Sequence, residues 1–223
     1  MHLSDCIPVP VRRFTRLIAL LALGLSSVLG SHAQGQQSPI QLPKPQITIG
    51  MPLMRALANR KTTRAFEDKA LPVQTLSNLL WAAFGVNRPR DVKAGLGRTA
   101  PSAMNSQDIE LDVVTADGVF VYEAEQNQLR PVVAGDFRGK IGAPPAARAA
   151  VTLVYVAAVK DEWGQVDVGF IGQNVYLYAA SEGLNAWFYS LHGAQETDAV
   201  ASVLKLPSDK RPLYAQSVGF PPK

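Results

Sequence analysis

Two short stretches carry side chains suited to holding a charged, planar molecule. In "NRKTTRAF", residues 59–66, Arg60, Thr62 and Arg64 alternate. If the chain is extended there, its period of two puts all three on one side, where guanidinium forks and a hydroxyl can grip a phosphate and a neighbouring polar ring edge. In "RTAPSAMNSQ", residues 98–107, Pro101 sets a turn, and Ser102 and Ala103 are small enough to admit a flat ligand to the main chain. Met104 follows, and Asn105 and Gln107 carry amides that both donate and accept, as a uracil-like ring edge requires. Taken singly, the first stretch also suits a solvated basic helix end, and the second an ordinary connecting loop.

Other residues admit a chemical and a plainer reading. His192 could donate a proton beside a ligand, or be an exposed loop histidine. Tyr176, Tyr178, Trp187, Phe188 and Tyr189 could stack on a substrate, but their spacing equally suits core or subunit interface. "GLGRTA", Gly95 to Ala100, matches a dinucleotide-binding fingerprint in letters only. That fingerprint needs a hydrophobic strand before it and a helix opening at its end, whereas "RPRDVKA" precedes and Pro101 follows.

These residues must be placed by regular elements. "PLMRALAN" puts Leu53, Met54 and Leu57 on one helical face, and Pro72 opens a second helix whose stripe is Leu76, Leu79, Leu80 and Ala83. A long loop, "RPRDVKAGLGRTAPSAMNSQ", comes next. "IELDVVT" and "VFVYE" flank "ADG" as an antiparallel hairpin, and "AAVTLVYVAA" reads as a central strand. The best-marked helix is "GFIGQNVYLYAASEG", ended by Gly183, with the strand "NAWFYS" directly after. Thr197 is placed to cap "DAVASVLK", and "PLYAQSVGF" closes the chain as a strand. Hairpins mixed with helices, without a βαβ rhythm, predict an α+β fold.

Composition removes several alternatives. Arg12, Arg13 and Arg16 precede the apolar run "LIALLALGLSSVLG" and then Ser31-His32-Ala33, the pattern of a signal peptide cut after Ala33. The expected location is therefore periplasmic or secreted, with no stable membrane insertion once the leader is gone. Arg12-Arg13 hints at twin-arginine export, and Sec export is equally admissible. The leader takes three arginines and one aspartate, leaving 19 of the 22 basic and 17 of the 18 acidic residues. A nearly neutral body without a basic run is not expected to bind nucleic acid. Cys6 leaves with the leader and His192 is then the only histidine, so a metal site is not expected. Residues 34–50 are Gln- and Pro-rich and read as a flexible lead-in to one domain, 51–223.

Four motifs in register carry a resemblance. "R-x-[ST]-x-R" after a first helix, "PSAxNxQ" before a hairpin, "GxxxQNxYLxAxxxGLxA" on a later helix and a closing "VGFP" together resemble the FMN-dependent nitroreductase superfamily, from about Met51 to Pro221. "LSNLLWAAFGVNR", "RTAPSAMNSQDIE" and "GFIGQNVYLYAASEGL" look like its thiazole/oxazole (azoline) dehydrogenase-like branch. The resemblance implies a mostly antiparallel central sheet flanked by helices, in an interlocked homodimer whose two FMN sites are each built from both chains. By position, Arg60 and Thr62 resemble the phosphate and ribityl contacts, and Arg64 the residue facing flavin N1 and the C2 carbonyl. Pro101, Ser102, Ala103, Met104, Asn105 and Gln107 resemble the stretch packed on the ring from the partner subunit, and the backbone of Ser190 and Leu191 the segment near N5. Relatives complete the phosphate grip with cations beyond the closing motif, where this chain offers Lys223 alone. The implied activity is two-electron hydride transfer at flavin N5 in a ping-pong cycle between a small-molecule donor and acceptor, with no side chain assigned as a catalytic acid or base. Two alternatives stay open: an azoline-type dehydrogenase passing electrons to oxygen or a quinone, and a flavin-binding or scavenging protein without turnover.

Overall fold

The computed structural model describes residues 38–91, 95–191 and 193–223. The leader assigned to 1–33, Cys6 and His192 lie outside the described residues.

The alternating, β-branched segments form a sheet. β4 (Glu110–Val114) and β5 (Gly118–Glu123) are the expected hairpin, with Val113 opposite Phe120 and the Thr115 N–H bonded to Gly118 O at 2.9 Å. β6 (Gln128–Ala134) pairs with β5, and β7 (Val151–Ala158) lies between β4 and the closing strand β9 (Lys210–Gly219). β7 is apolar apart from Thr152 because both its faces are covered, leaving only Ala158 exposed. With β1 (Ile40–Gln41) at one edge and β8 (Asn185–Ser190) at the other, the order is β1-β6-β5-β4-β7-β9-β8, and every ladder is antiparallel. This seven-stranded antiparallel sheet with flanking helices is the predicted α+β, nitroreductase-like architecture.

Helices cover both faces. Leu111, Val113, Leu153 and Tyr155 pack under α2 (Val73–Phe84) and α3 (Gly164–Ser181), while Val114, Val154, Val156 and Ala215 pack under α4 (Gly193–Leu204). Leu79 and Leu80 of α2 are fully buried, each worth roughly 1.5–3 kcal/mol of transfer free energy. α3 ends where Gly183 turns left-handed at φ +69°, letting the Leu184 N–H reach back to Ala179 O at 2.8 Å. That closure launches β8 without a linker.

Four expectations are corrected. The apolar face of α1 (Leu53–Asn59) points outward: Leu53, Met54 and Leu57 are 61, 76 and 42% exposed, and only Ala56 is buried. The sheet is roofed by α2 and α3, and α1 packs on α3, burying Ala56. The long loop contains a two-stranded ribbon, β2 (Val86–Asp91) with β3 (Gly95–Arg98). The lead-in is tied down from Ile40 onward: Leu42 is buried, its N–H bonds to Asn127 O, and Pro43 O accepts from both Ser77 and Asn127. Thr197 lies inside α4, where its hydroxyl donates to Gly193 O at 2.9 Å instead of capping the helix.

Candidate functional site

The free edge of β8 explains why residues 60–66 are extended. The Thr63 N–H bonds to Ala186 O (2.9 Å), the Ala186 N–H to Thr63 Oγ1 (3.1 Å), and Asn185 Nδ2 to Ala65 O (2.7 Å), so the segment covers an otherwise unpaired strand. Buried Phe66 locks its far end. Thr62 Oγ1 then shares a 2.9 Å hydrogen bond with the Tyr176 hydroxyl, which also accepts the Phe188 N–H at 2.9 Å. The Arg60 guanidinium stands 5.4 Å from the centre of the Tyr176 ring. A helix residue, an edge strand and the basic segment thus meet on one phenol.

Arg64 departs from the expected common side. Its guanidinium stands 5.6 Å from the ring of Trp187, which packs on Tyr189 at 4.4 Å on the sheet face opposite Phe188. The physical reason is the pairing at Thr63, which runs the segment along the sheet edge, so that Arg64 reaches around it. Among the described residues neither Arg60 nor Arg64 makes an ion pair. Beside them a cavity of about 370 Å³ is lined by Asn59, Lys61, Thr63, Tyr176, Asn185 and Pro221. Lys223, almost fully exposed, lies 3.9 Å from Glu67 at the end of the same segment, a contact worth little in water. Ser190 ends β8, and Leu191 directly after it is buried in the core beneath α4.

The 101–107 loop is anchored elsewhere. Asp167, in the first turn of α3 and 1% exposed, accepts the Ser102 hydroxyl (2.6 Å) and the Ala103 N–H (2.7 Å), and Ser102 Oγ in turn accepts the Gln107 N–H (2.8 Å). These bonds hold Met104, Asn105 and Gln107 left-handed, at φ +52°, +56° and +54°. Side-chain-bearing residues adopt that region at a cost of about 1 kcal/mol or more each, which the anchor must offset. The Met104 side chain is held out at 84% exposure, and Pro101 is exposed beside it. Asp167 was not singled out from the sequence, although as the one charged residue of α3 it is a signal that could have found it.

Within one chain these two groups of residues stay apart. Asp167 and Tyr176 are nine residues apart on one helix, about 13 Å along its axis. Along this stretch α3 presents an uncovered face: Val166 and Phe170 are 44 and 41% exposed, Gln173 is exposed, and among the described residues nothing stands within 4 Å of where a Gly169 side chain would be. Among the described residues there is no cluster of three metal-ligating side chains, and no helix long and apolar enough to cross a membrane.

The sequence profile described as the nitroreductase family matches residues 57–220. A protein of Methanocaldococcus jannaschii assigned as a nitroreductase is 26% identical over 206 residues, 83% of this chain and 98% of its own length. A solved structure from Ralstonia eutropha, also assigned as a nitroreductase, superposes with a TM-score of 0.74 at 32% identity, covering 85% of this chain and 92% of that one. An FMN-dependent nitroreductase of Clostridium difficile shares the fold at a TM-score of 0.54 and 17% identity, over 76% of this chain and 88% of its own. With the match spanning sheet, helices and both polar stretches, the chain belongs to the nitroreductase family.

Proposed function

We propose that the chain is an exported FMN-dependent oxidoreductase, of the azoline dehydrogenase-like branch, that works as a homodimer. The observation that carries this reading is the uncovered face of α3, centred between Gly169 and Phe170, with an anchored polar loop at one end and the Arg60–Thr62–Tyr176 group at the other. Antiparallel packing of two such helices about that centre sets Tyr176 within about one helical turn of the partner's Asp167 and the loop it holds. The outward apolar side chains of α1 enlarge the surface to be covered.

The residues suit FMN. Arg60 and Arg64 bring two cations without a carboxylate partner among the described residues, and Thr62 brings a hydroxyl already positioned by Tyr176. In this reading Arg60 and Thr62 hold the phosphate end and Lys223 adds a loose third contact. Arg64 favours negative charge at the N1–C2 edge, and the amides of Asn105 and Gln107 meet a ring edge from the partner subunit. The backbone of Ser190 and Leu191 borders N5. When bound, FMN supplies two-electron hydride chemistry in a ping-pong cycle, and the chain binds, orients and tunes it. Export favours a donor other than a nicotinamide dinucleotide, which is scarce outside the cytoplasm.

Purified protein is expected to be yellow, or to become so with FMN, and to run as a dimer in light scattering. Phe170→Asp should shift it to monomer and weaken FMN binding at least about tenfold. A preparation that stays colourless in excess FMN overturns the proposal. So does a Phe170→Asp monomer that binds FMN as tightly as the parent chain.

A further inference from the structure

The β2–β3 ribbon carries more positive charge than its internal contacts use. Arg90 is paired with Glu125 at 2.5 Å. Arg98 donates through Nη1 to Phe84 O (3.1 Å) and through Nε to Gln107 Oε1 (3.3 Å), and lies 4.6 Å over the Phe84 ring, with no carboxylate in ion-pair range among the described residues. The Arg88 guanidinium makes no hydrogen bond or ion pair among the described residues. Its side chain lies across Gly97, where a Cβ would stand only 2.5 Å from Arg88 Cβ and 2.8 and 3.1 Å from its Nε and Cζ. Glycine at 97 therefore lets Arg88 settle against the strand, one residue from Arg98.

Both arginines line a cavity of about 290 Å³ that Asn87, Thr99, Asn105 and Gln107 help to close, with no carboxylate in its described lining. Like charges brought to one polar cavity repel, and a shared anion reverses the sign of that interaction. Burial already pushes the Arg98 pKa down, against a smaller opposing pull from Glu125. The unused Nη2 of Arg98 and the uncommitted fork of Arg88 offer the planar donor pattern that carboxylates and phosphates accept. Asn105 and Gln107 also belong to the loop assigned above to the ring edge, so an anion held here stands beside the reacting pocket.

We propose that Arg88 and Arg98 form an anion subsite that takes the carboxylate or phosphate of a small acidic reactant. Only the fate of that reactant rests on the flavin reading, because anion binding itself needs no flavin.

Calorimetric titration of the full chain without added FMN, against succinate and separately against inorganic phosphate, tells the two anions apart. At least one is expected to bind, with affinity lowered about tenfold or more by Arg88→Gln. It should be unaltered by Arg148→Gln, which removes the same charge from an exposed position elsewhere. No binding of either anion, equal binding by the parent chain and Arg88→Gln, or equal weakening by Arg148→Gln overturns the subsite. With flavin bound, the kcat/KM preference for 4-nitrobenzoate over its methyl ester should fall about tenfold in Arg88→Gln. If the chain stays colourless with FMN yet keeps Arg88-dependent anion binding, the flavin reading fails and the subsite stands. Bound flavin with Arg88-independent anion binding sinks the subsite alone.

Discussion

Asp112 and Asp167 are 0 and 1% exposed, and they live under opposite conditions. Asp167 accepts two short hydrogen bonds, from the Ser102 hydroxyl and the Ala103 N–H, and through them shapes the 101–107 loop. Asp112 stands in β4 between Val121 and Val154, and among the described residues neither of its carboxylate oxygens has a partner. Burial, helped by the nearby charge of Glu110, pushes its pKa from the ordinary 3.8 up to about 8, with Lys210 and Arg130 opposing weakly. The two show that burial alone does not make a carboxylate useful. Donors aimed at it turn a desolvation cost into an anchor, and without them the group keeps its proton and lowers stability.

The largest expected effect breaks the comparison at Asp112. Its folded-state pKa is raised, so its contribution is fully kept below about pH 3.8, is lost as pH rises toward about 8, and is level beyond. Relative to Asp112→Val, the parent chain should lose up to about 1.4 kcal/mol per pH unit across that window. Denaturant midpoints of both proteins at several pH values measure this. Parallel curves would show that Asp112 is solvated or paired. Next, Asp167→Ala should cost about 2 kcal/mol, since two donors and three left-handed residues lose their anchor. It should also weaken FMN binding, which a paired stability and flavin titration would read. The smallest effect sharpens the site end: Tyr176→Phe removes the hydroxyl shared by Thr62 and the Phe188 N–H, for about 1 kcal/mol in a thermal melt. No loss there would mean that water replaces the phenol and that Thr62 is held by the β8 edge alone.

Where one face or one period dominated, the sequence was legible. The β4–β5 hairpin, the continuous run of β7 and the closing strand follow from alternation and turn residues, and α3 with its Gly183 terminator from spacing by three and four. The order of polar motifs marked Arg60, Thr62, Arg64 and the 101–107 stretch. Less legible was anything set by competition for a surface. The stripe of α1 looked like a core face, but α2 and α3 had taken the sheet, so Leu53 and Met54 face outward. The ribbon of β2 and β3 has Val86 as its one β-branched residue among those described and a proline and two glycines within it, and it is held by side chains such as Arg98 on Phe84 O. The lead-in reads as linker by composition, yet two backbone carbonyls and Leu42 secure it to β6 and α2.

By itself the sequence determined the α+β class, the local elements and the types of side chain available to hold an anion, because periodicity, turn chemistry and residue type act over a few neighbouring positions. Tertiary structure decided which of those side chains meet. It joined Thr62 to Tyr176 across 114 positions and Ser102 to Asp167 across 65, and left Asp112 without a donor among the described residues. Such pairings depend on how sheet and helices compete for the same apolar area, which is a property of the whole packed chain.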